Sequence, residues 1–230
     1  MGLCGVYGSG ARGESGAIYL LTDSPTVSER YIADALTSRG FNTVIVNISE
    51  TPLHRIPGVA FLRIKNPYAA VVYGSLAEHS INPPSGIIAA LNRLSWLPKF
   101  GPPYAVVLSD FSVEKVEIER PWVLLTAWKL ALDGSVTSVE GAKSVIEHRM
   151  YMRNPLAKVS VVIPKPHRLV SIFATIKHAS GLAEDILSHL GLFYAKITLG
   201  DYGGKLYVVD IDPVPPLETK EEAALVAELI

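Results

Sequence analysis

The stretch that decides the fold of this chain is Leu206-Tyr-Val-Val-Asp210-Ile-Asp212-Pro213-Val214-Pro215. It follows a Gly203-Gly204 pair, which predicts a hairpin turn, and precedes an acidic segment that predicts a helix. Successive side chains of a strand point to opposite faces, so Asp210 and Asp212 share one face and can converge on one cation. Carboxylate oxygens on a rigid strand suit a magnesium–nucleotide site. The alternative is that both carboxylates simply face water.

The composition indicates a compact folded protein. Of 230 residues, 49% are hydrophobic and 19% are charged, which is too apolar for a disordered chain. The formal net charge is −1 without a cluster of Lys and Arg, so nucleic acid is not expected as a partner. A single cysteine, Cys4, excludes an internal disulfide and fits a reducing compartment such as the cytoplasm.

Two further features of the sequence bear on membrane association and on the growth temperature of the source organism. No apolar run approaches the roughly 20 residues of a membrane span, and the N-terminus lacks the order of a secretory signal. We therefore expect no membrane association. The chain has no glutamine, one Cys and three Met, and this low content of thermolabile residues favours a thermophilic source.

The first eighty residues alternate between strand-like and helix-like patterns. Strands are predicted at 17–22, 43–48 and 59–64, and helices at 24–40 and from 66 to about 79. For the first helix we expect Ser24 as cap, Pro25 at the first position and Val27 on the buried face. This alternation predicts a small parallel α/β domain over residues 1–80.

From Asn82 the pattern changes. A central lobe over residues 81–157 is predicted to contain helices at 84–96 and 140–152 and strands at 104–108 and 122–126. A β-rich lobe over 158–230 follows, with strands at 159–163, 169–175, 193–199 and 206–211 and a helix at 180–190.

One short motif has little functional weight. Gly8-Ser-Gly10-Ala-Arg-Gly13 matches the dinucleotide-binding fingerprint, but that fingerprint needs a strand before it and a helix after it. Here the preceding apolar piece is very short and the following one is strand-like, so we interpret it as a glycine-rich leader. The six histidines show no metal-ligand spacing.

Several motifs form a longer pattern when they are taken in order. They are Ile81-Asn-Pro-Pro84 leading to Asn92-Arg93-Leu94, Ser144-Val-Ile-Glu-His-Arg149 with Asn154-Pro155, Lys165-Pro-His-Arg168, and the terminal Asp210-Ile-Asp212-Pro-Val-Pro215. This order resembles the ATP-grasp superfamily over residues 17–230. The nearest branch contains the carrier-protein ligases of lysine and arginine biosynthesis and the ribosomal-protein glutamate ligases.

The resemblance implies an ATP-grasp-like fold, an N-terminal α/β domain followed by two α+β lobes with ATP between them. In that family a substrate carboxylate becomes an acyl phosphate, which an amine attacks, while basic residues hold phosphates and acidic residues hold magnesium. Asp210 and Asp212 match the last two metal-ligand positions. Arg93 matches a phosphate-binding lysine.

Other positions of the family pattern are altered here. The ATP-binding lysine and its proline correspond to Leu125-Thr126, and the glycine-rich phosphate loop corresponds to the bulky stretch 127–134. Ser171 stands in place of an arginine, Val161 in place of an acidic adenine contact and Thr198 in place of a metal carboxylate. One alternative is that Lys129 reaches in from the loop and replaces the missing lysine.

Three functions are compatible with these replacements. The first is a non-catalytic ATP-grasp relative that binds a partner, such as a homologous ligase or a carrier protein, with Leu125, Trp128, Val161 and Ile163 filling the cleft. The second is a divergent ATP- and magnesium-dependent carboxylate–amine ligase of amino-acid biosynthesis or protein modification. The third is a nucleotide or small-molecule sensor. By analogy with related ligases, we also expect a homo-oligomer.

Overall fold

The computed structural model of the protein describes residues 16–52, 54–103, 106–108, 122–126, 134–136 and 160–230. Its strands are β1 (Ile18–Thr22), β2 (Thr43–Asn47), β3 (Ile56–Arg63), β4 (Ala77–Ile81), β5 (Val106–Leu108), β6 (Trp122–Thr126), β7 (Gly134–Val136), β8 (Ser160–Pro164), β9 (Arg168–Thr175), β10 (Tyr194–Asp201) and β11 (Leu206–Asp212). Its helices are α1 (Val27–Ser38), α2 (Pro67–Leu76), α3 (Pro84–Leu91), α4 (Arg93–Phe100), α5 (Leu182–Leu190) and α6 (Lys220–Ala227).

The N-terminal sheet is parallel, with strand order β2-β1-β3-β4. One face is covered by α1 and α6, whose residues Ile32 and Val226 pack with Leu20. The opposite face carries α2, where Ala70 packs with Leu21. Both faces of a parallel sheet must be buried, and the helix from the end of the chain completes this cover. The predicted parallel α/β architecture is confirmed.

The second sheet is antiparallel, in the order β11-β10-β9. The β10–β11 hairpin turns at Gly203 and Gly204, whose φ angles of 71° and 87° are left-handed and need glycine. Its inner face forms a buried cluster with α4 and α5 that includes Trp96, Ile186 and Ile197. The third sheet, β5-β8-β6-β7, is also antiparallel. In the described ranges, no helix is long and apolar enough to cross a membrane.

Three helix predictions were wrong in detail. The cap of α1 is Thr26 rather than Ser24, because Thr26 and Glu29 form a reciprocal capping box, and Val27 is 55% exposed. The predicted helix 66–79 ends at Leu76, and residues 77–81 form strand β4 instead, since they pair with β3. The predicted helix 84–96 is two helices, because Asn92 is extended and caps α4.

Several predicted segments lie outside the described residues. They are the glycine-rich leader at 8–13, the loop with Lys129, and the helix at 140–152. The predicted division at residues 80 and 157 stays a prediction.

Asn82 joins the N-terminal sheet to the C-terminal one. Its amide Nδ2 donates to the carbonyls of Tyr194 (2.9 Å) and Pro213 (2.7 Å), while Oδ1 accepts from the backbone N–H groups of Phe193 (2.8 Å) and Tyr194 (3.2 Å). The residue is completely buried, at a φ of 56°. Asparagine tolerates this left-handed backbone better than most residues, and its amide supplies two donors and an acceptor with two lone pairs.

Replacing Asn82 with Ala is expected to destabilise the protein by roughly 3 kcal/mol and to lower its melting temperature by about 10 °C. The cause is the loss of partners for buried backbone groups of β10 and of the segment after β11. Thermal and urea unfolding measure the effect. Asn82→Gly is the control, because it also removes the amide but relieves the left-handed backbone. Full stability in Asn82→Gly would show that the hydrogen bonds are unimportant.

Arg63, a member of a buried ion pair, makes a second link between the two sheets. Arg63 Nε lies 2.9 Å from Glu29 Oε1, and each side chain is only 3% exposed. Arg63 Nη2 also donates to the Pro215 carbonyl at 2.8 Å, and Nη1 lies 3.5 Å from the Tyr194 hydroxyl. One guanidinium therefore connects β3 to α1, β10 and the segment after β11. A guanidinium has five N–H donors in a fixed planar arrangement, so it can donate to several elements at once.

The Glu29 carboxyl has a lowered pKa. Burial alone would raise this pKa, but the hydrogen bonds from Thr26 and the charge of Arg63 together outweigh it. A carboxyl with a lowered folded-state pKa contributes stability above its unfolded-state pKa, and this contribution is lost as the pH falls through the folded-state value.

We therefore expect the free energy of unfolding to fall as the pH drops below about 4.5, the ordinary pKa of this carboxyl. Glu29→Gln should be about 3–5 kcal/mol less stable at pH 7, because Arg63 keeps a buried charge without its counter-ion. That variant should also lose less stability in acid. Urea titrations from pH 7 to pH 3 test this, with the exposed Glu50→Gln as control. Parallel pH curves for wild type and Glu29→Gln would contradict the assignment.

Candidate functional site

The outer face of the β9–β10–β11 sheet brings together three positions that sequence analysis treated separately. Ser171 pairs with Thr198, and Thr198 pairs with Asp210, so the three lie in one row across the strands. The hydroxyls of Ser171 and Thr198 are 3.0 Å apart. By the resemblance, this row would hold an arginine and two metal ligands. Here it holds two hydroxyls and one carboxylate.

A second row lies beside the first and contains Phe173, Lys196 and Asp212. Asp210 and Asp212 thus share a face, as their spacing predicted, and both are partly exposed. Lys196 Nζ lies 2.5 Å from Glu218 Oε1. This hydrogen bond raises the pKa of Lys196 and lowers the pKa of Glu218, so both groups are charged at neutral pH.

Arg93 is the first residue of α4, and Asn92 caps this helix by accepting from the Leu94 N–H at 3.2 Å. The Arg93 side chain is 2% exposed, and its Nη2 lies 3.3 Å from Asp210 Oδ1, whose side chain is 31% exposed. The predicted phosphate-binding cation and one predicted metal ligand are therefore brought together as an ion pair.

Asp212 is also engaged within the chain. Its Oδ1 accepts from the Val214 N–H at 3.0 Å and so shapes the turn that leaves β11. Within the described part of the chain, no group of three or more His, Cys, Asp or Glu side chains is placed to hold a metal ion. Lys129, the other residue expected to hold phosphate, lies outside the described residues.

Two of the four residues expected to fill the cleft have described side chains. Val161 is fully buried and Ile163 is 2% exposed, and both belong to the cluster with Trp96 and Leu199. The position that would contact adenine in the family pattern is therefore part of a hydrophobic core. Trp128 lies outside the described residues, and the Leu125 side chain is not described.

Sequence reasoning missed a cavity of about 310 Å³. It lies at the carboxyl ends of β1 and β3, at the start of α1, and against the segment that follows Asp212; its lining includes Asp23, Glu29, Arg63, Lys65, Val214 and Leu217. The carboxyl end of a parallel sheet is a common ligand site, so the predicted order of strands and helices was a signal for it. Asp23 Oδ2 accepts from the Lys65 N–H at 3.1 Å and closes one side.

Solved structures with the same architecture were found, whereas no family model and no curated protein matches the sequence. A RimK-domain ATP-grasp protein from Sphaerobacter thermophilus has a TM-score of 0.72 at 18% identity, covering 94% of this chain and 99% of that one. The ATP-grasp ligase PsnB, solved with the precursor peptide PsnA2 and AMPPNP, has a TM-score of 0.67 at 9% identity, covering 96% and 98%.

A third similar structure is the D-alanine–D-alanine ligase from Bacillus anthracis complexed with ATP. It has a TM-score of 0.62 at 11% identity and covers 93% of this chain and 92% of that one. All three identities are low, so these similarities concern architecture. The protein has the ATP-grasp fold, with a parallel N-terminal sheet and an antiparallel C-terminal sheet.

Proposed function

We propose that this protein is a non-catalytic member of the ATP-grasp fold class that acts by binding a protein or peptide partner. The observation that carries the proposal is the ion pair between Arg93 and Asp210 at 3.3 Å. A residue expected to hold phosphate instead neutralises a residue expected to hold magnesium.

Catalysis in this fold class relies mainly on charged groups, because phosphoryl transfer depends on positioning the phosphate and on neutralising its oxygens. Magnesium needs several well-placed oxygen ligands, and carboxylates supply the negative charge. On this sheet Asp210 pairs with Arg93, Asp212 shapes a turn, and Ser171 and Thr198 contribute neutral hydroxyls. Losing a single charge-stabilising group typically costs about 10²–10³ in rate, so several losses together leave little turnover.

The partner is proposed to be a carrier protein, a peptide or a homologous ligase. Two solved structures of the ligase PsnB contain a precursor peptide, so this architecture accommodates peptide chains. The outer face of the β9–β10–β11 sheet offers charged and apolar groups side by side, including Lys196, Asp212, Phe173 and Leu169. Such a mixed surface suits a protein segment better than a triphosphate.

Two other functions each rest on one observation. Asp210 and Asp212 do share a face, which favours a divergent ATP- and magnesium-dependent ligase with Arg93 and Lys129 as phosphate ligands. The cavity of about 310 Å³ at the carboxyl ends of β1 and β3 favours a small-molecule sensor. Neither alternative accounts for the pairing of Arg93 with Asp210.

Calorimetric titration with ATP, with and without magnesium, separates these functions. We expect no saturable binding up to about 5 mM ATP and no ADP release with amino-acid or carrier-protein substrates, because the charged positions are paired internally. Magnesium-dependent binding that disappears in Asp212→Ala would support the ligase instead. Binding of a small ligand without its consumption would support the sensor.

A gain-of-function variant gives the matched control. Thr198→Glu adds a third carboxylate to the face that holds Asp210 and Asp212. We expect this variant to bind magnesium with a dissociation constant of about 1 mM. Thr198→Gln has nearly the same size without the charge and should not bind. If the wild-type protein already binds magnesium as tightly as Thr198→Glu, then Thr198 does not limit the site and the proposed loss of function is wrong.

A further inference from the structure

One end of the β9–β10–β11 sheet consists of two turns that lie side by side. The first turn joins β8 to β9, and the second joins β10 to β11. The Tyr202 hydroxyl of the second turn donates to the carbonyl of Pro164, the last residue of β8, at 2.8 Å, and this bond holds the turns together. We call residues 165–169 and 201–207 the hairpin end.

The hairpin end is basic. It carries Lys165, Arg168 and Lys205, all of which are exposed, and its one acidic residue is Asp201. The Asp201 carboxylate accepts from the Gly204 N–H at 2.7 Å and is therefore engaged by its own turn. Among the described residues, no ion pair involves any of the three basic side chains. With its histidine neutral, the hairpin end has three positive charges and one negative charge, a net charge of +2.

Apolar and aromatic side chains lie among these charges. Leu169 is 59% exposed and Leu206 is 48% exposed. Tyr202 and Tyr207 form an edge-to-face pair with ring centroids 5.9 Å apart, and both residues are partly exposed. Exposed apolar side chains surrounded by polar ones mark an interaction site. Because the surrounding charge is positive, the site suits a partner with negative charge at its surface and apolar material beneath it.

The positions of the two leucines distinguish between kinds of partner. Leu169 pairs with Gly200, and Leu206 pairs with the next residue of β10, Asp201. Successive residues of a strand point to opposite faces, so the two leucines lie on opposite faces of the sheet. A peptide that lies on one face reaches only one leucine. A flat partner that meets the sheet end-on reaches both.

The tip of the β10–β11 hairpin projects into open space. A Cβ built on Gly203 or Gly204 would meet no heavy atom within 4 Å beyond the adjacent residues. Leu206 lies two residues from Gly204, which is about 7 Å along the strand. Apolar groups of proteins that lie on a membrane enter it by about 5–10 Å. A membrane surface that receives the tip therefore also covers Leu206.

We propose that the hairpin end is a peripheral contact site for the surface of an anionic lipid bilayer. The glycine tip and the leucines enter the surface, while Lys165, Arg168 and Lys205 pair with lipid phosphates and carboxylates. The earlier expectation of no membrane association concerned apolar spans and secretory signals. A peripheral contact needs neither, and its residues come from two separate turns that only the tertiary structure brings together.

Co-sedimentation of the full chain with lipid vesicles tests the proposal. Phosphatidylcholine vesicles with about 30% phosphatidylserine should bind the protein with half-saturation near about 1 mM lipid at about 0.1 M salt. Vesicles of phosphatidylcholine alone should bind it at least about 10-fold more weakly, because they offer no net negative charge. Raising the salt to about 0.5 M should weaken binding to the anionic vesicles severalfold, since salt screens exposed charges.

Two variants with matched controls test the charge and the apolar contact separately. Lys205→Glu should weaken binding to the anionic vesicles at least about 5-fold. Its control is Arg30→Glu, which makes the same change in net charge at an exposed residue of α1 and should have little effect. Leu206→Ser should also weaken binding about 5-fold or more. Its control is Val72→Ser, at a 45% exposed residue of α2. Circular dichroism checks that each variant is folded.

Three results would overturn the proposal. The first is a wild-type protein that binds neither kind of vesicle or binds both equally. The second is a Lys205→Glu variant that binds anionic vesicles like wild type. The third is a protein that ignores vesicles but binds poly-L-glutamate through Lys205, which would assign the hairpin end to an acidic protein instead. The vesicle assay contains no nucleotide, so its outcome is separate from that of the ATP titration.

Discussion

The amide of Asn82 is the interaction on which the arrangement of the two sheets depends. Four backbone groups, at Phe193 and Tyr194 around the start of β10 and at Pro213 just after β11, have this one side chain as partner. Unpaired polar groups in a buried place are expensive, so the amide fixes the position of both strands relative to β4. Because Asp210 and Asp212 lie on β11, Asn82 also fixes the candidate site relative to the N-terminal sheet.

Arg63, which is paired with Glu29, makes a second set of contacts at the same junction. Arg63 reaches the Pro215 carbonyl, and α6 packs beside α1 on the N-terminal sheet. The last helix, α6, is thereby packed onto the N-terminal sheet. This closure produces the cavity at the ends of β1 and β3, since the segment after Asp212 forms one of its walls.

The outer face of the β9–β10–β11 sheet brings together three positions that the sequence resemblance had assigned to a ligand site. The row of Ser171, Thr198 and Asp210 crosses the sheet in register, but two of its members are neutral. Arg93 is buried against Asp210, and Val161 belongs to the hydrophobic core. A protein can keep a fold while its chemistry changes, because packing determines the backbone whereas a few exposed polar side chains determine the reaction.

The sequence by itself determined the order and type of most elements and the shared face of Asp210 and Asp212. Periodicity of apolar residues and glycine at turns are local signals, and they were sufficient for β1, α5 and the β10–β11 hairpin. Local signals failed at residues 77–81, where helix-like composition was overridden by pairing with β3.

Only the tertiary structure decided the partners of the polar side chains. Neither the four hydrogen bonds of Asn82 nor the pairing of Arg93 with Asp210, 117 residues apart, has a local pattern that predicts it. The same holds for Arg63, whose contact at Pro215 lies 152 residues away. Sequence spacing states which face of an element a residue occupies, but contacts between distant elements follow from how the sheets and helices pack.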